Sequence, residues 1–267
     1  MPIAKVNGID LYYEATGAGA PLVFIPGLSG TTDLWAYQLR YFRDHYRTIS
    51  LDNRGAGRSD KPQGTYSMET FARDLNDLLD FLEISEPVYL VGASMGGIIA
   101  QAFIHDYPQR VNKLVLACSG VSGGDPHITP CSRQVLDKLA NPGVTIEEKV
   151  DTFLEIFFHP EYVASHPEIR TIFLKYKSGL QPTHAYKAQF DACADPRPYY
   201  EWLAAIKAPV LVIHGDEDVV WPLQNARTLI EGLRGNGKLY VMEKAAHVLM
   251  QERPEEFNRI LHEFFGR

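Results

Sequence analysis

The hydrophobic positions of this chain form short apolar runs that alternate with longer amphipathic segments. Apolar runs of about four to eight residues between turn residues indicate buried strands, and apolar residues three or four positions apart indicate helices. The runs predict strands at residues 21–25, 46–51, 88–91, 111–118, 209–214 and 238–242, with two more strands around an Asn-Gly turn within residues 4–15. The helical spacing predicts helices at residues 34–42, 67–82, 95–107, 223–233 and 254–265.

Strands and helices therefore alternate through both ends of the chain, which is the pattern of a largely parallel sheet covered by helices on both faces. Residues 121–200 interrupt this alternation, because they show helical patterns, many aromatic residues and no clear strand. We predict an α/β fold with a mostly parallel, doubly wound eight-stranded sheet. In this prediction residues 1–120 and 201–267 form the core, and residues 121–200 form an inserted helical cap.

The composition narrows the class of protein. A chain of 267 residues, 45% hydrophobic and 22% charged, suits one globular domain with an insertion. The net charge of −7 argues against nucleic acid or an anionic membrane as a main partner. We expect neither a spanning helix nor a signal peptide, because long apolar runs are missing from the sequence. Three scattered cysteines favour free thiols and a cytoplasmic location. The sequence leaves the oligomeric state open.

One serine lies between glycines directly after a predicted strand. The segment Gly92-Ala93-Ser94-Met95-Gly96 matches G-x-S-x-G, the nucleophile elbow, and a predicted helix follows it at once. Such a short turn strains the backbone, where glycine would be the easier residue. Ligands bind at the carboxyl ends of the strands in open α/β sheets. Ser94 is therefore the predicted nucleophile, and the N–H of Met95 at the helix start is a predicted oxyanion donor.

A catalytic serine needs a general base, and the base needs a carboxylate that orients it. In this type of fold the acid and then the histidine follow the serine along the chain. The predicted strand 209–214 ends at His214, which we interpret as a core residue, and the loop after it carries Asp216, Glu217 and Asp218. His247 follows the last predicted strand. No histidines pair as H-x-x-x-H or H-x-H, so we predict no metal site.

Together these segments resemble the α/β-hydrolase fold family, and within it the capped esterases and enol-lactonases. The matching segments are residues 25–30 (IPGLSG), 51–59 (LDNRGAGRS), the elbow, 213–218 (IHGDED), and His247 with the later ERPE at 252–255. They span the predicted core, whereas the cap matches only in position.

The resemblance also implies roles for individual residues. The family pattern G-x-x-D maps the acid onto Asp218, the base onto His247, and the oxyanion donors onto the backbone N–H groups of Met95 and Leu28. The chain departs from the family at one point, because Pro26 precedes Gly27 where the family usually has His-Gly. A proline offers neither an N–H nor an imidazole.

The predicted function is a cofactor-free serine hydrolase that cleaves a small-molecule carboxylic ester or lactone through an acyl-enzyme. The aromatic cap would exclude water and favour apolar acyl groups. Hydrolysis of acyl homoserine lactones or enol-lactones is an alternative as the specific role. Hydrolysis of a carbon–carbon bond in a β-diketone-type acid is a second alternative, and ligand sensing on a hydrolase scaffold is a third. Dehalogenases and epoxide hydrolases of this fold need a carboxylate nucleophile, which Ser94 does not provide.

Overall fold

A twisted central sheet organises the protein. The computed structural model describes residues 2–176 and 181–266. Within these residues the sheet has eight strands in the order β1-β2-β4-β3-β5-β6-β7-β8. The strands are β1 (Ile3–Val6), β2 (Ile9–Thr16), β3 (Pro21–Ile25), β4 (Arg47–Leu51), β5 (Val88–Ala93), β6 (Val111–Ala117), β7 (Val210–Gly215) and β8 (Gly237–Met242).

The pairing directions confirm the predicted mostly parallel sheet. β1 pairs with β2, and β2 with β4, in the antiparallel direction, and the pairs from β4 through β8 are parallel. Asn7 and Gly8 both have positive φ at the β1–β2 turn, as a two-residue hairpin requires. β3, β5 and β7 are buried along their whole length, which explains their continuous apolar runs.

Helices cover both faces of the sheet. The helices outside the β6–β7 connection are α1 (Ala36–Phe42), α2 (Met68–Phe81), α3 (Met95–Asp106), α10 (Gln224–Gly232), α11 (Leu249–Glu252) and α12 (Pro254–Phe265). Alternate residues of β3 enter opposite cores: Val23 packs with α2 and α3, whereas Phe24 packs with α1 and α12. This alternation is the period of two that a strand covered on both faces must have, and it confirms the doubly wound arrangement.

The connection between β6 and β7 is helical among its described residues. These inserted helices are α4 (Arg133–Ala140), α5 (Ile146–Phe157), α6 (Pro160–Ser165), α7 (Glu168–Tyr176), α8 (Thr183–Ala192) and α9 (Tyr199–Leu203). Residue 200, the predicted end of the cap, falls inside α9, which packs against α3 and α10 of the core. The division into core and cap stays a prediction.

Local residue choices explain where several helices begin. The Ser67 side chain accepts a hydrogen bond from Thr70 N–H and caps α2, and Thr145 and Glu148 form a capping box at α5. The helix predicted at residues 34–42 begins instead as a 3₁₀ turn at Thr32–Trp35 and continues as α1. Within residues 2–176 and 181–266, the helices lack the length and apolar composition needed to cross a membrane.

Candidate active site

Ser94 is the single residue between the end of β5 and the start of α3. Its backbone lies at φ 55° and ψ −122°, a conformation that costs an L-residue conformational energy and persists only where its surroundings enforce it. Two hydrogen bonds enforce it here. Ser94 N–H donates to the Ala117 carbonyl at 3.0 Å, and the Ser119 hydroxyl donates to the Ser94 carbonyl at 2.8 Å. The structure thus places Ser94 on the sharp strand-to-helix turn that the motif predicts.

The glycines around Ser94 are required by close backbone approach. A Cβ at Gly92 would lie 2.3 Å from the Gly96 carbonyl oxygen, and a Cβ at Gly96 would lie 2.3 Å from the Ile25 carbonyl oxygen. A Cβ at Gly27 would approach the Ser94 Cβ to 3.0 Å. Side chains at these positions would push β3, β5 and α3 apart, so glycine lets the loop after β3 pack directly against the serine.

His247 and Asp218 meet at the carboxyl ends of β7 and β8. His247 Nδ1 lies 2.8 Å from Asp218 Oδ2, and both side chains are buried. Because a carboxylate accepts, this contact favours the tautomer with the proton on Nδ1 and a free lone pair on Nε2. Asp218 Oδ1 accepts hydrogen bonds from the backbone N–H groups of Val220 and Trp221 at 2.8 and 2.9 Å. These bonds hold the carboxylate in one orientation.

The three acidic residues that the sequence left as alternatives have different surroundings. Asp216 is exposed. Glu217 is also exposed, and its Oε2 lies 3.0 Å from His159 Nε2. Of these three acids the structure therefore brings Asp218 to the His247 imidazole.

The loop that carries His247 is tied to the inserted helices. The backbone N–H groups of His247 and Val248 both donate to the Phe157 carbonyl at the end of α5, at 3.1 and 3.0 Å. The Phe157 ring stands edge-on to the imidazole, with 5.0 Å between ring centroids. The Phe157 carbonyl thereby holds the backbone of His247, and the Phe157 ring packs against its imidazole.

Glu252, to which the sequence pattern assigns no role, braces the same loop. Its carboxylate is buried and accepts the Ala246 N–H at 3.1 Å and the His159 N–H at 2.7 Å. Burial raises the pKa of Glu252, and these two hydrogen bonds oppose the rise. Glu252 lies in the ERPE segment, but only the fold shows that its carboxylate joins the His247 loop to the inserted helices.

His214 lies beneath the acid, fully buried as a core residue. Its Nε2 donates to the Trp221 carbonyl at 2.6 Å and lies 3.5 Å from Asp218 Oδ2. Its Nδ1 is buried, and no hydrogen-bond partner for it occurs among the residues described. Burial lowers the pKa of His214, although the nearby Asp218 carboxylate opposes this. Burial therefore favours the neutral imidazole of His214 in the folded chain.

A pH-dependent loss of stability should follow from the buried His214. The unfolded chain takes up a proton near the ordinary histidine pKa of 6.5, whereas the folded chain resists it, so stability present above that pH is lost as the pH falls below it. His214→Gln keeps a donor for Trp221 and removes the titration. The free energy of unfolding in urea should then fall less between about pH 7.5 and about pH 5.5, by up to about 1.4 kcal/mol per pH unit.

The matched control for this measurement is His45→Gln, at an exposed histidine. An equal fall in the unfolding free energy for wild type and His214→Gln would show that His214 does not carry the effect.

Ser94 and His247 line one large cavity between the sheet and the inserted helices. Its volume is about 1180 Å³, large enough for a drug-sized molecule. On the side of the inserted helices, an apolar wall is formed by Leu139, Phe153, Ile156, Phe157, Phe173 and Phe190. Lys138, Glu148, Lys149 and Lys187 also line the cavity on this side. A ligand in the cavity would therefore reach the serine with an apolar portion against these helices.

The two predicted oxyanion donors belong to segments that adjoin Ser94. Met95 is the first residue of α3, so its N–H has no carbonyl one turn earlier in the helix to which it can donate. Leu28 follows Gly27, which approaches Ser94, and Leu28 lines the cavity. The Pro26 carbonyl accepts a hydrogen bond from Asn53 Nδ2 at 2.9 Å, which anchors the start of this loop.

Known sequence families and proteins resemble this chain in both sequence and structure. The family model for the alpha/beta hydrolase fold matches residues 20–144. The 3-oxoadipate enol-lactonase 2 of Acinetobacter baylyi is 30% identical over 92% of this chain and 88% of the relative. The 2-hydroxy-6-oxononadienedioate/2-hydroxy-6-oxononatrienedioate hydrolase of Paraburkholderia phymatum is 31% identical over 97% of this chain and 92% of the relative.

A solved structure is also similar to this chain, in both fold and sequence. Est816, described as an N-acyl homoserine lactone degrading enzyme, superposes with a TM-score of 0.80 at 32% sequence identity. The match covers 98% of this chain and 100% of that chain. The likeness therefore includes the inserted helices as well as the sheet.

Proposed function

This chain is a hydrolase of the α/β-hydrolase family, and from this premise we propose that it cleaves a carboxylic ester or lactone through an acyl-enzyme formed on Ser94. The observation that carries the proposal is the 2.8 Å contact between His247 Nδ1 and Asp218 Oδ2, with His247 lining the same cavity as Ser94. These are the three groups, in the required chain order, that serine hydrolysis uses.

In the proposed reaction, His247 Nε2 takes the proton of the Ser94 hydroxyl as the oxygen attacks the substrate carbonyl. The Asp218 carboxylate keeps the proton on Nδ1 and stabilises the imidazolium that forms. The same imidazolium then gives its proton to the leaving alcohol. A water deprotonated by His247 hydrolyses the acyl-enzyme and restores the free serine.

The negative oxygen of the tetrahedral intermediate is proposed to lie between the backbone N–H groups of Met95 and Leu28. Backbone donors that are already in place cost no reorganisation during the reaction, which makes them effective in a site shielded from water. Each such donor contributes about 10²–10³ in rate in comparable enzymes. In this proposal the inserted helices provide the shielding, because they roof the cavity.

The apolar wall of the cavity supports a substrate with an apolar acyl portion. The test is the rate of p-nitrophenol release from a series of p-nitrophenyl esters, from acetyl to dodecanoyl. We expect kcat/KM to rise with chain length while the acyl chain gains contact with the wall, because each buried CH₂ contributes about 0.8 kcal/mol, and to level off once added carbons no longer reach the wall. A rate that is independent of chain length would contradict the assignment of this wall to the acyl group.

Lactones are the natural second panel, because two of the similar proteins are named for them. One relative is an enol-lactonase, and the Est816 structure is described as an N-acyl homoserine lactone degrading enzyme. The same serine chemistry opens a lactone, with the alcohol retained in the product. A kcat/KM on acyl homoserine lactones or enol-lactones that exceeds the value on simple esters would identify a lactonase.

A second candidate function is hydrolysis of a carbon–carbon bond in a β-diketone-type acid. It is favoured by the 31% identity to the hydrolase of Paraburkholderia phymatum, which is named for 2-hydroxy-6-oxononadienedioate and 2-hydroxy-6-oxononatrienedioate. The candidate uses the same Ser94, His247 and Asp218. With 2-hydroxy-6-oxononadienedioate as the test substrate, cleavage is followed as the loss of its dienoate absorbance. The relative rates on this acid and on the ester series separate the two functions. Ligand-induced stabilisation without product release would instead favour a sensing protein.

A further inference from the structure

The loop after β3 is supported by side chains from the connection between β6 and β7. We call residues 26–30 the oxyanion loop, because Leu28 within it is a proposed oxyanion donor. Ser29, the next residue, has φ 59°, in the left-handed region that costs a non-glycine residue conformational energy. Ser29 N–H donates to the side-chain oxygen of Gln189 on α8, at 3.0 Å and across 160 residues of sequence.

Gln189 is fully buried, and its amide is bonded on both sides. Its Oε1 accepts from Ser29 N–H and also from Gln181 Nε2, at 2.9 Å. Its Nε2 donates to the Arg54 carbonyl at 2.7 Å. Gln181 in turn accepts a hydrogen bond from the Ser29 hydroxyl. The two glutamines therefore hold both the N–H and the hydroxyl of Ser29.

The Nε2 end of the Gln189 side chain, which points away from Ser29, also packs against fixed parts of the core. A Cβ at Gly55 would lie 3.4 Å from Gln189 Nε2, so the amide packs directly on this backbone, and Gly55 itself has φ 86°. The Arg54 side chain next to it is buried in an ion pair with Asp74. Gln189 thus links the oxyanion loop to a rigid part of the core and has little freedom of its own.

This link bears directly on the proposed chemistry. Ser29 N–H and the Leu28 carbonyl belong to one peptide plane. The Leu28 N–H belongs to the preceding peptide plane, which is joined to this one through the φ and ψ angles of Leu28. Anchoring the Leu28–Ser29 plane therefore restricts the directions in which the Leu28 N–H can point relative to Ser94. The loop lacks the imidazole that the family usually places before Gly27, since Pro26 stands there.

We propose that Gln189 is a positioning residue for the oxyanion site: it holds Ser29 N–H and thereby aims the Leu28 N–H at the developing oxyanion. The inference rests on the proposed function. It makes α8 part of the catalytic arrangement as well as of the roof of the cavity. A purely structural Gln189 would affect folding stability alone, whereas a positioning Gln189 affects transition-state stabilisation.

The main variant is Gln189→Met, which keeps the length of the side chain and removes its hydrogen bonds. The matched control is Gln38→Met, because Gln38 is also fully buried and donates to two acceptors, the Met250 carbonyl and Asn258. Four quantities are measured: thermal stability, kcat and KM on the best p-nitrophenyl ester, the rate at which a fluorophosphonate labels Ser94, and hydrogen exchange of peptides that span residues 26–30.

Gln189→Met is expected to lower kcat about 10²-fold, the effect of misplacing one oxyanion donor, and to leave KM within about threefold. Fluorophosphonate labelling should slow by a similar factor, because the phosphonyl oxygen uses the same donors. Exchange in residues 26–30 should accelerate. Gln38→Met should lose a comparable amount of stability with kcat and labelling unchanged.

A second variant covers the case in which Gln189→Met does not fold. Gln181→Met removes only the outer hydrogen bonds at a half-buried side chain. It should lower kcat about three- to tenfold at unchanged KM, the equivalent of one net hydrogen bond.

Two results would overturn the inference alone. One is a wild-type rate of labelling in a folded Gln189→Met, and the other is an equal loss of kcat in Gln189→Met and Gln38→Met. A wild-type protein whose Ser94 does not react with the fluorophosphonate would overturn the proposed function, and the inference with it. The two failures are therefore distinguishable.

Discussion

Replacement of Ser94 by alanine is expected to lower kcat for ester hydrolysis by about 10⁶-fold, the loss seen when the nucleophile of a serine hydrolase is removed. Alanine offers no oxygen to attack the carbonyl, so no acyl-enzyme forms. Water must then attack the ester directly. The measurement is p-nitrophenol release by wild type and variant at equal concentration, together with fluorophosphonate labelling followed by intact-protein mass.

The control for this prediction is Ser50→Ala. Ser50 is a fully buried serine of β4 whose hydroxyl donates to the Phe24 carbonyl. Ser50→Ala therefore also deletes a serine hydroxyl, but at a position that does not line the cavity. Both variants should fold, as circular dichroism and thermal unfolding would show. A Ser94→Ala variant that keeps more than about 10⁻² of the wild-type rate would rule out Ser94 as the nucleophile.

Asp218→Asn is the substitution with the second largest expected effect, a loss of about 10⁴ in kcat. The backbone N–H groups of Val220 and Trp221 need an acceptor at Oδ1, so the asparagine would turn its oxygen toward them and its NH₂ toward His247 Nδ1. Nδ1 must then accept, and the proton moves to Nε2. An imidazole in this tautomer has no lone pair facing Ser94 and cannot act as its base.

Asp216→Asn is the comparison for this prediction. Asp216 lies in the same loop but is exposed, and a surface substitution of this kind changes a free energy by about 0.5 kcal/mol or less, or about twofold in rate. The two variants should have similar thermal stability and very different kcat. The reverse order of activities would assign the acid to Asp216 and would contradict the geometry of the His247 contact.

Much of the fold was predictable from the sequence because the sheet is buried on both faces. β3, β5 and β7 are apolar at nearly every position, which marks them without reference to any partner. The one-turn helix α11 was not predicted, because four residues are too few to show a period of 3.6. The 3₁₀ turn before α1 was missed for the same reason.

In the candidate site, too, some residues were identifiable from the sequence and others only from the fold. Ser94 could be found from its local motif, because a strand, a tight turn and a helix follow one another along the chain. Asp218 needed the family pattern, since Asp216 and Glu217 lie beside it, and only the folded loop shows which carboxylate reaches His247. Neither Gln189 nor Glu252 was given a role from the sequence, because the partners that reveal those roles, Ser29 and His159, lie 160 and 93 residues away.

The sequence by itself determined the α/β class and the mostly parallel sheet, because apolar runs and helical periods are local patterns in the chain. It also predicted Ser94, Asp218 and His247 in the chain order that the family pattern requires. The tertiary structure decided which acid contacts His247, how the inserted helices hold the loops around Ser94, and how large the cavity is. Those features depend on where distant segments meet, and the hydrogen bond from Ser29 N–H to Gln189 forms only once the loop after β3 and α8 lie against each other.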